Sequence, residues 1–194
     1  MPITQERFDR IKQKYWSVAS WAIWADAGVT AKSNVGDLRV LDPDFNPQLL
    51  QVLKPNVVFV GLNISRHLIT KPFANFHDER PQSTDFKIRF ALKETPFWGG
   101  YMTDIVKDYE EKASGKLTTY LRQHPDFEHE HVRLFLNELS EVTDVEPTLI
   151  AFGNAVHAIL ARNVGRTHRI LKVRHYAAYM SQALYRADVQ QRIP

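Results

Sequence analysis

Pro55-Asn56-Val57-Val58-Phe59-Val60-Gly61-Leu62-Asn63 decides how the rest of the chain is read. Pro55-Asn56 breaks whatever precedes it. The unbroken β-branched and aromatic run Val57-Val58-Phe59-Val60 that follows has no polar alternation. Such a run reads as a strand covered on both faces, the habit of parallel sheets. Three later segments behave likewise: Tyr101-Met102-Thr103-Asp104-Ile105-Val106, Thr148-Leu149-Ile150-Ala151-Phe152-Gly153 and Ile170-Leu171-Lys172-Val173-Arg174. Helical patterns separate them. Val132, Phe135, Leu136 and Leu139 form one stripe, and Val156, Ile159 and Leu160 another, with Asn154 placed to cap its start. Tyr176, Tyr179, Met180, Ala183 and Leu184 share a face after the last strand. Strands alternating with helices require right-handed crossovers. The expected fold is therefore α/β, a three-layer αβα sandwich around a central four-stranded, mostly parallel sheet.

Outward from that core, residues 1–45 read as an N-terminal helix and loop extension of a single domain spanning 1–194. Phe8, Ile11, Tyr15, Val18 and Ala22 recur at helical spacing, which predicts one helix from Thr4 to Ala25. Trp16, Trp21 and Trp24 widen its buried face. Gly28 and the run Lys32 to Asp37 then read as a stop and a loop.

Composition narrows the function classes. The chain has 25 cationic and 22 anionic residues, a net charge of +3, which permits nucleic-acid binding without arguing for it. There are no cysteines, so disulfides, thiolate zinc sites and iron–sulfur clusters are excluded. No apolar stretch approaches the ~20 residues that cross a bilayer, and no secretory core opens the chain, so a cytoplasmic protein without membrane contact is expected. His124, His129 and His131 sit beside Glu128 and Glu130, but a His-x-His pair on a helix points to different faces, so no metal is expected. Neither a dinucleotide-binding glycine fingerprint, a P-loop nor a nucleophile elbow is present, and no cofactor is expected.

Residues 63–82 form a long stretch of little periodicity with aromatic and basic residues and two prolines, Pro72 and Pro81. Long loops in small domains are often functional. This one leaves the carboxyl end of a strand, where open α/β sheets bind ligands. Asn63, Asp104 and His175 all fall at that end of predicted strands. Taken singly, Asn63 reads as a turn residue, Asp104 as a cap, His175 as a satisfied polar group, and Phe73 and Phe76 as core. Their shared position is what singles them out.

Gly61-Leu62-Asn63-Ile64-Ser65 resembles the Gly-x-Asn-Pro-Gly signature of the uracil-DNA glycosylase superfamily, closest in style to its mismatch-specific and single-strand-selective branches. Val173-Arg174-His175-Tyr176-Ala177 is similar in placement to that superfamily's His-Pro-Ser motif, and Leu149 to Ala155 to its apolar strand ending in glycine before a helix. The resemblance covers about residues 55 to 187 and implies a uracil-DNA glycosylase-like fold. It implies that Asn63 positions the attacking water and that His175 contacts the departing base. Asp104 stands where the family has an asparagine that reads the uracil edge. Phe73 or Phe76 stands where it stacks an aromatic on the flipped base. Ile64, Ser65, Tyr176 and Ala177 depart from the family's residues.

Asp104 changes the expected chemistry. An amide donates and accepts, whereas an ionised carboxylate only accepts. Asp104 suits an exocyclic amino group, or else is itself protonated. Arg66, His67, Lys71, Arg80, Lys172 and Arg174 lie near the strand ends and are candidates for holding the phosphates of DNA. The expected function is a DNA glycosylase-like hydrolase removing a deaminated or modified base in base-excision repair. The alternatives are a catalytically inactive module of the same fold that binds nucleic acid or a protein partner, and a hydrolase of free nucleosides.

Overall fold

The computed structural model describes residues 3–64, 69–107, 109 and 114–193. Arg66, together with Ser65 and His67, lies outside the described residues. The elements in chain order are α1 (Gln5–Tyr15), β1 (Ala19–Trp21), a short 3-10 turn (Leu38–Leu41), α2 (Leu49–Val52), β2 (Lys54–Asn63), α3 (Phe86–Leu92), β3 (Gly100–Val106), α4 (Ser114–Gln123), α5 (Pro125–Val142), β4 (Thr148–Phe152), α6 (Gly153–Val164), β5 (Ile170–Val173) and α7 (Gln182–Arg192).

The sheet has five strands rather than the expected four, in the order β1-β3-β2-β4-β5. β3, β2, β4 and β5 are parallel, and β1 joins antiparallel to the outer edge of β3. Each parallel strand falls where the buried apolar runs predict it.

The N-terminal segment departs from the reading. α1 starts at Thr4, whose hydroxyl accepts from the Arg7 amide at 3.2 Å, and buries Phe8 and Ile11. The expected helix to Ala25 ends ten residues early, at Tyr15. Beyond it, Ala19, Ser20 and Trp21 pair with Thr103, Met102 and Tyr101. Trp21 and Trp24 are core as expected, but as part of and beyond a strand; Trp16 is exposed. What looked like an extension thus supplies the edge of the sheet.

Two cores sandwich the sheet. One joins α1, α4, α5 and α6, through Phe8, Leu117, Phe135 and Ile159, to Val58, Val60 and Leu62 of β2. The other joins α3 and α7, through Ile88, Leu92, Tyr185 and Val189, to Phe59, Met102, Ile150 and Phe152. α7 begins later than its apolar pattern suggests. Ser181 caps it by accepting from Leu184 N at 3.2 Å, and its buried side is Tyr185 and Val189, while Tyr179 and Leu184 are exposed. Asn154 does not cap α6; its Oδ1 accepts from Lys172 Nζ at 3.1 Å, and Phe152 holds the cap position without a side-chain hydrogen bond. Among the described residues, no helix is long and apolar enough to cross a membrane.

Candidate functional site

Side chains alternate along a strand. Since Val58, Val60 and Leu62 face one core and Phe59 the other, Gly61 shares the face of Phe59. Gly61 sits in register with Asp104 of β3, and Asn63 with Val106. The Asp104 carboxyl lies over the space a side chain on Gly61 would occupy: a Cβ there would be 2.1 Å from Asp104 Oδ1 and 3.3 Å from Phe76 Cζ. Only glycine lets that carboxyl and that ring edge meet above the strand.

Asp104 is buried, and among the described residues no cation pairs with its carboxyl. Burial raises its pKa to about 6. The Asn75 hydrogen bond and the Lys107 charge pull the other way, while Glu138 and Asp85 add to the rise. Lys107 is spent elsewhere. Its ammonium pairs with Glu138 at 2.7 Å and donates to the Asp104 backbone carbonyl at 2.5 Å and to the Thr103 hydroxyl. Glu138 also accepts from the Tyr101 hydroxyl at 2.8 Å.

The loop after β2 reaches this place through residues 73–77. Phe73 and Phe76 both have left-handed backbone, with φ of 61° and 63°. Non-glycine residues there cost about 1–3 kcal/mol each and persist only where surroundings hold them. The flanks of β1 do the holding. Phe73 N donates to Trp16 O at 2.8 Å, Ser20 Oγ to Phe73 O at 2.8 Å, and Trp24 Nε1 to Phe76 O at 3.3 Å. His77 is buried, stacked on Trp24, with its ring nitrogens 2.9 Å from Ile23 O and 3.0 Å from Asn75 O. The result separates the two phenylalanines. Phe73 packs on Phe8 of α1, in the core away from Gly61. Phe76 stands beside Gly61 and touches Phe152 and Tyr176.

His175 follows β5. Gly153, with φ of 89°, turns the chain from β4 into α6 and leaves room for it; a Cβ at Gly153 would be 3.4 Å from the His175 Cβ. The imidazole stacks on Tyr176 and lies edge-on to Phe152. Ala177 N donates to its Nδ1 at 3.1 Å, so the neutral ring carries its proton on Nε2. Desolvation by the surrounding rings lowers its pKa although part of the residue still meets solvent, which favours this neutral, donating form.

Asp104, Phe76 and His175 thus follow one another along the carboxyl ends of the sheet, linked through Gly61, Phe152 and Tyr176. Asn63, at the end of β2, is half-buried and donates through Nδ2 to Tyr109 O at 3.1 Å, and both Tyr109 and Val106, the register partner of Asn63, belong to the other core. Of the basic candidates, Lys71 is exposed, Arg80 is chelated by Asp78, Arg174 faces Asp188 at 3.6 Å, and Lys172 holds Asn154. The three histidines diverge. His124 Nδ1 lies 2.9 Å from Tyr120 O, His131 packs on Phe127, and His129 lines a cleft of about 660 Å³ between α4, α5 and α6. Among the described residues, no three His, Cys, Asp or Glu side chains are grouped to hold a metal ion. Reading the sequence alone missed Asn75, Ser20 and His77, whose only local signal is their place in or opposite an aromatic-rich loop.

No protein-family model matches the chain, and neither a curated protein nor a solved structure does. The functional reading rests on the geometry above.

Proposed function

We propose that the protein is a cytoplasmic N-glycosidic hydrolase of uracil-DNA glycosylase-like fold, removing a deaminated or modified base from DNA. One observation carries the reading: Asp104, Phe76 and His175 form a contiguous row at the carboxyl ends of parallel strands.

Cleaving an N-glycosidic bond makes the sugar cationic and the leaving base anionic. Asn63 orients a water toward the sugar carbon but is too weak a base to take its proton outright, so much of the drive comes from the leaving group. His175 Nε2–H donates to the base oxygen as charge develops there. A single such donor, aimed in advance, is worth about 3–4 kcal/mol. Flipping a base costs a few kcal/mol and is cheapest in single strands or at mismatches. In this reading Phe76, which stands between Asp104 and Tyr176, is the ring that meets the base. Phe73, buried under α1, has no part in it.

The test is a lesion panel of uracil, hypoxanthine and modified cytosines, in single- and double-stranded DNA. Excision that drops at least a hundredfold in His175→Ala and in Asn63→Ala supports the site. Undiminished excision in the double variant removes it.

A second reading has its own support. The Asn63 amide already donates to Tyr109 O, and one Asp104 oxygen is committed internally, as in a module that keeps the fold without the chemistry. It predicts salt-sensitive DNA binding with no product from any lesion. An anisotropy titration beside the excision assay separates the two.

A further inference from the structure

Asn75 is buried, and both hydrogens of its side-chain nitrogen are used: Nδ2 donates to Val18 O at 3.0 Å and to Asp104 Oδ2 at 2.9 Å. A backbone carbonyl only accepts, so the contact with Val18 fixes which end of the amide is the nitrogen. The same nitrogen faces Asp104, and Oδ2 is therefore an acceptor in either protonation state. Any proton on this carboxyl sits on Oδ1. That atom projects over Gly61, beside the Phe76 ring, and among the described residues nothing donates to it.

The backbone around Asn75 is built to hold this arrangement. The two left-handed residues Phe73 and Phe76 bracket it, and each is anchored to the β1 flank by hydrogen bonds. His77 lies against the Asn75 carbonyl. Strain of this kind clusters where geometry matters.

We propose that Asn75 is a positioning residue for Asp104, committing Oδ2 internally so that Oδ1 is the one carboxyl oxygen left to read the edge of a planar heterocycle. This inference rests on the glycosidase reading and gives it a substrate class. A single ionised oxygen accepts from an exocyclic amino group, whose neighbours are a ring nitrogen and a C–H. It can also accept from an imide N–H, but the two carbonyl oxygens that flank that N–H repel it. At neutral pH the site therefore favours a base that keeps an amino group. Once Oδ1 is protonated it donates, and a carbonyl edge of the uracil kind is preferred. Among the described residues, the charged groups acting on Asp104 are Lys107 just after its own strand, Glu138 from α5 and Asp85 at the start of α3.

The test uses the full chain, isotopically labelled. The Asp104 carboxyl carbon and the Asn75 side-chain amide protons are followed by NMR from about pH 4 to about pH 8. The two are expected to move with one midpoint. In Asn75→Ala the Asp104 midpoint rises, because the lost hydrogen bond favoured the carboxylate. In parallel, single-stranded oligonucleotides bearing one 2′-fluorinated deoxycytidine or deoxyuridine, which resist cleavage, are titrated. Between about pH 5 and about pH 7 the cytosine probe tightens and the uracil probe weakens, each about tenfold, as expected for a group titrating midway. In Asn75→Ala that crossover moves to higher pH.

Asn75 amide signals that ignore the Asp104 titration overturn the proposal in the unmodified protein, whether or not the variant folds. Probes that bind with a pH-independent preference overturn it while leaving the glycosidase reading intact. Binding of neither probe at any pH overturns that reading, and the ligand-reading role with it.

Discussion

Two carboxyl groups are buried against β3, and the protein treats them differently. Glu138, 1% exposed on one face of the sheet, receives the Tyr101 hydroxyl and is neutralised by Lys107. Asp104, 3% exposed on the other face, receives one amide hydrogen bond and no cation on its carboxyl among the described residues, and keeps an oxygen over a glycine. The first is a closed structural pair. A buried acid left half-satisfied is costly for folding and available for binding, and the proposed site rests on that asymmetry.

The closed pair gives the largest expected effect. Glu138→Ala leaves the Lys107 ammonium without its counter-charge in a largely buried position and removes the acceptor of Tyr101. Breaking one side of such a pair costs about 3–5 kcal/mol, measurable as a lower urea midpoint with an unchanged slope. A cost near zero would put Glu138 in the same open class as Asp104.

Asp104 has the opposite sign. Its folded pKa of about 6 lies above the ordinary 3.8, so between those values the folded chain keeps a proton that the unfolded chain has lost. Stability from this group is then highest below about pH 4, falls as pH rises to about 6, and stays down, by about 3 kcal/mol, at neutrality. Asp104→Asn keeps an acceptor for Asn75 and removes the charge. It is expected to be more stable than the parent at pH 7 by up to about 3 kcal/mol, with little gain at pH 4. A loss at pH 7 would mean the carboxylate is satisfied after all. Gly61→Ala sharpens the same point: the new Cβ must displace Oδ1 and press on Phe76, an overpacking cost of about 1–3 kcal/mol. In an Asp104→Ala background most of that cost should vanish.

The parallel strands are legible because each is a continuous apolar run too short for a helix, and their carboxyl ends single out Asn63, Asp104 and His175 as candidates. β1 is not legible. Ala19-Ser20-Trp21 has only three residues, follows a helical pattern in phase, and becomes a strand through pairing with β3, some 80 positions away. Nothing local could have announced that. Asn75 was missed for the same reason, since its partners are Val18 and Asp104, neither of them near it in sequence. The choice between Phe73 and Phe76 depended on two left-handed residues that no propensity favours. They send one ring toward α1 and the other toward Gly61.

The smallest expected effect tests whether β1 serves the open carboxyl at a distance. Ser20 is buried, donates to Phe73 O, and lies 3.1 Å from His77 Nδ1. Ser20→Ala removes that donor with almost no change in volume, at a cost of about 1 kcal/mol. If β1 only completes the sheet, the loss ends there, because the backbone pairing of Ser20 with Met102 is untouched. If the β1 flank holds the 73–77 loop for the sake of Asp104, a looser loop weakens the Asn75 contact. The Asp104 midpoint then rises above about 6 while the fold stays intact. An unmoved midpoint in a destabilised but folded Ser20→Ala would separate the edge strand from the site.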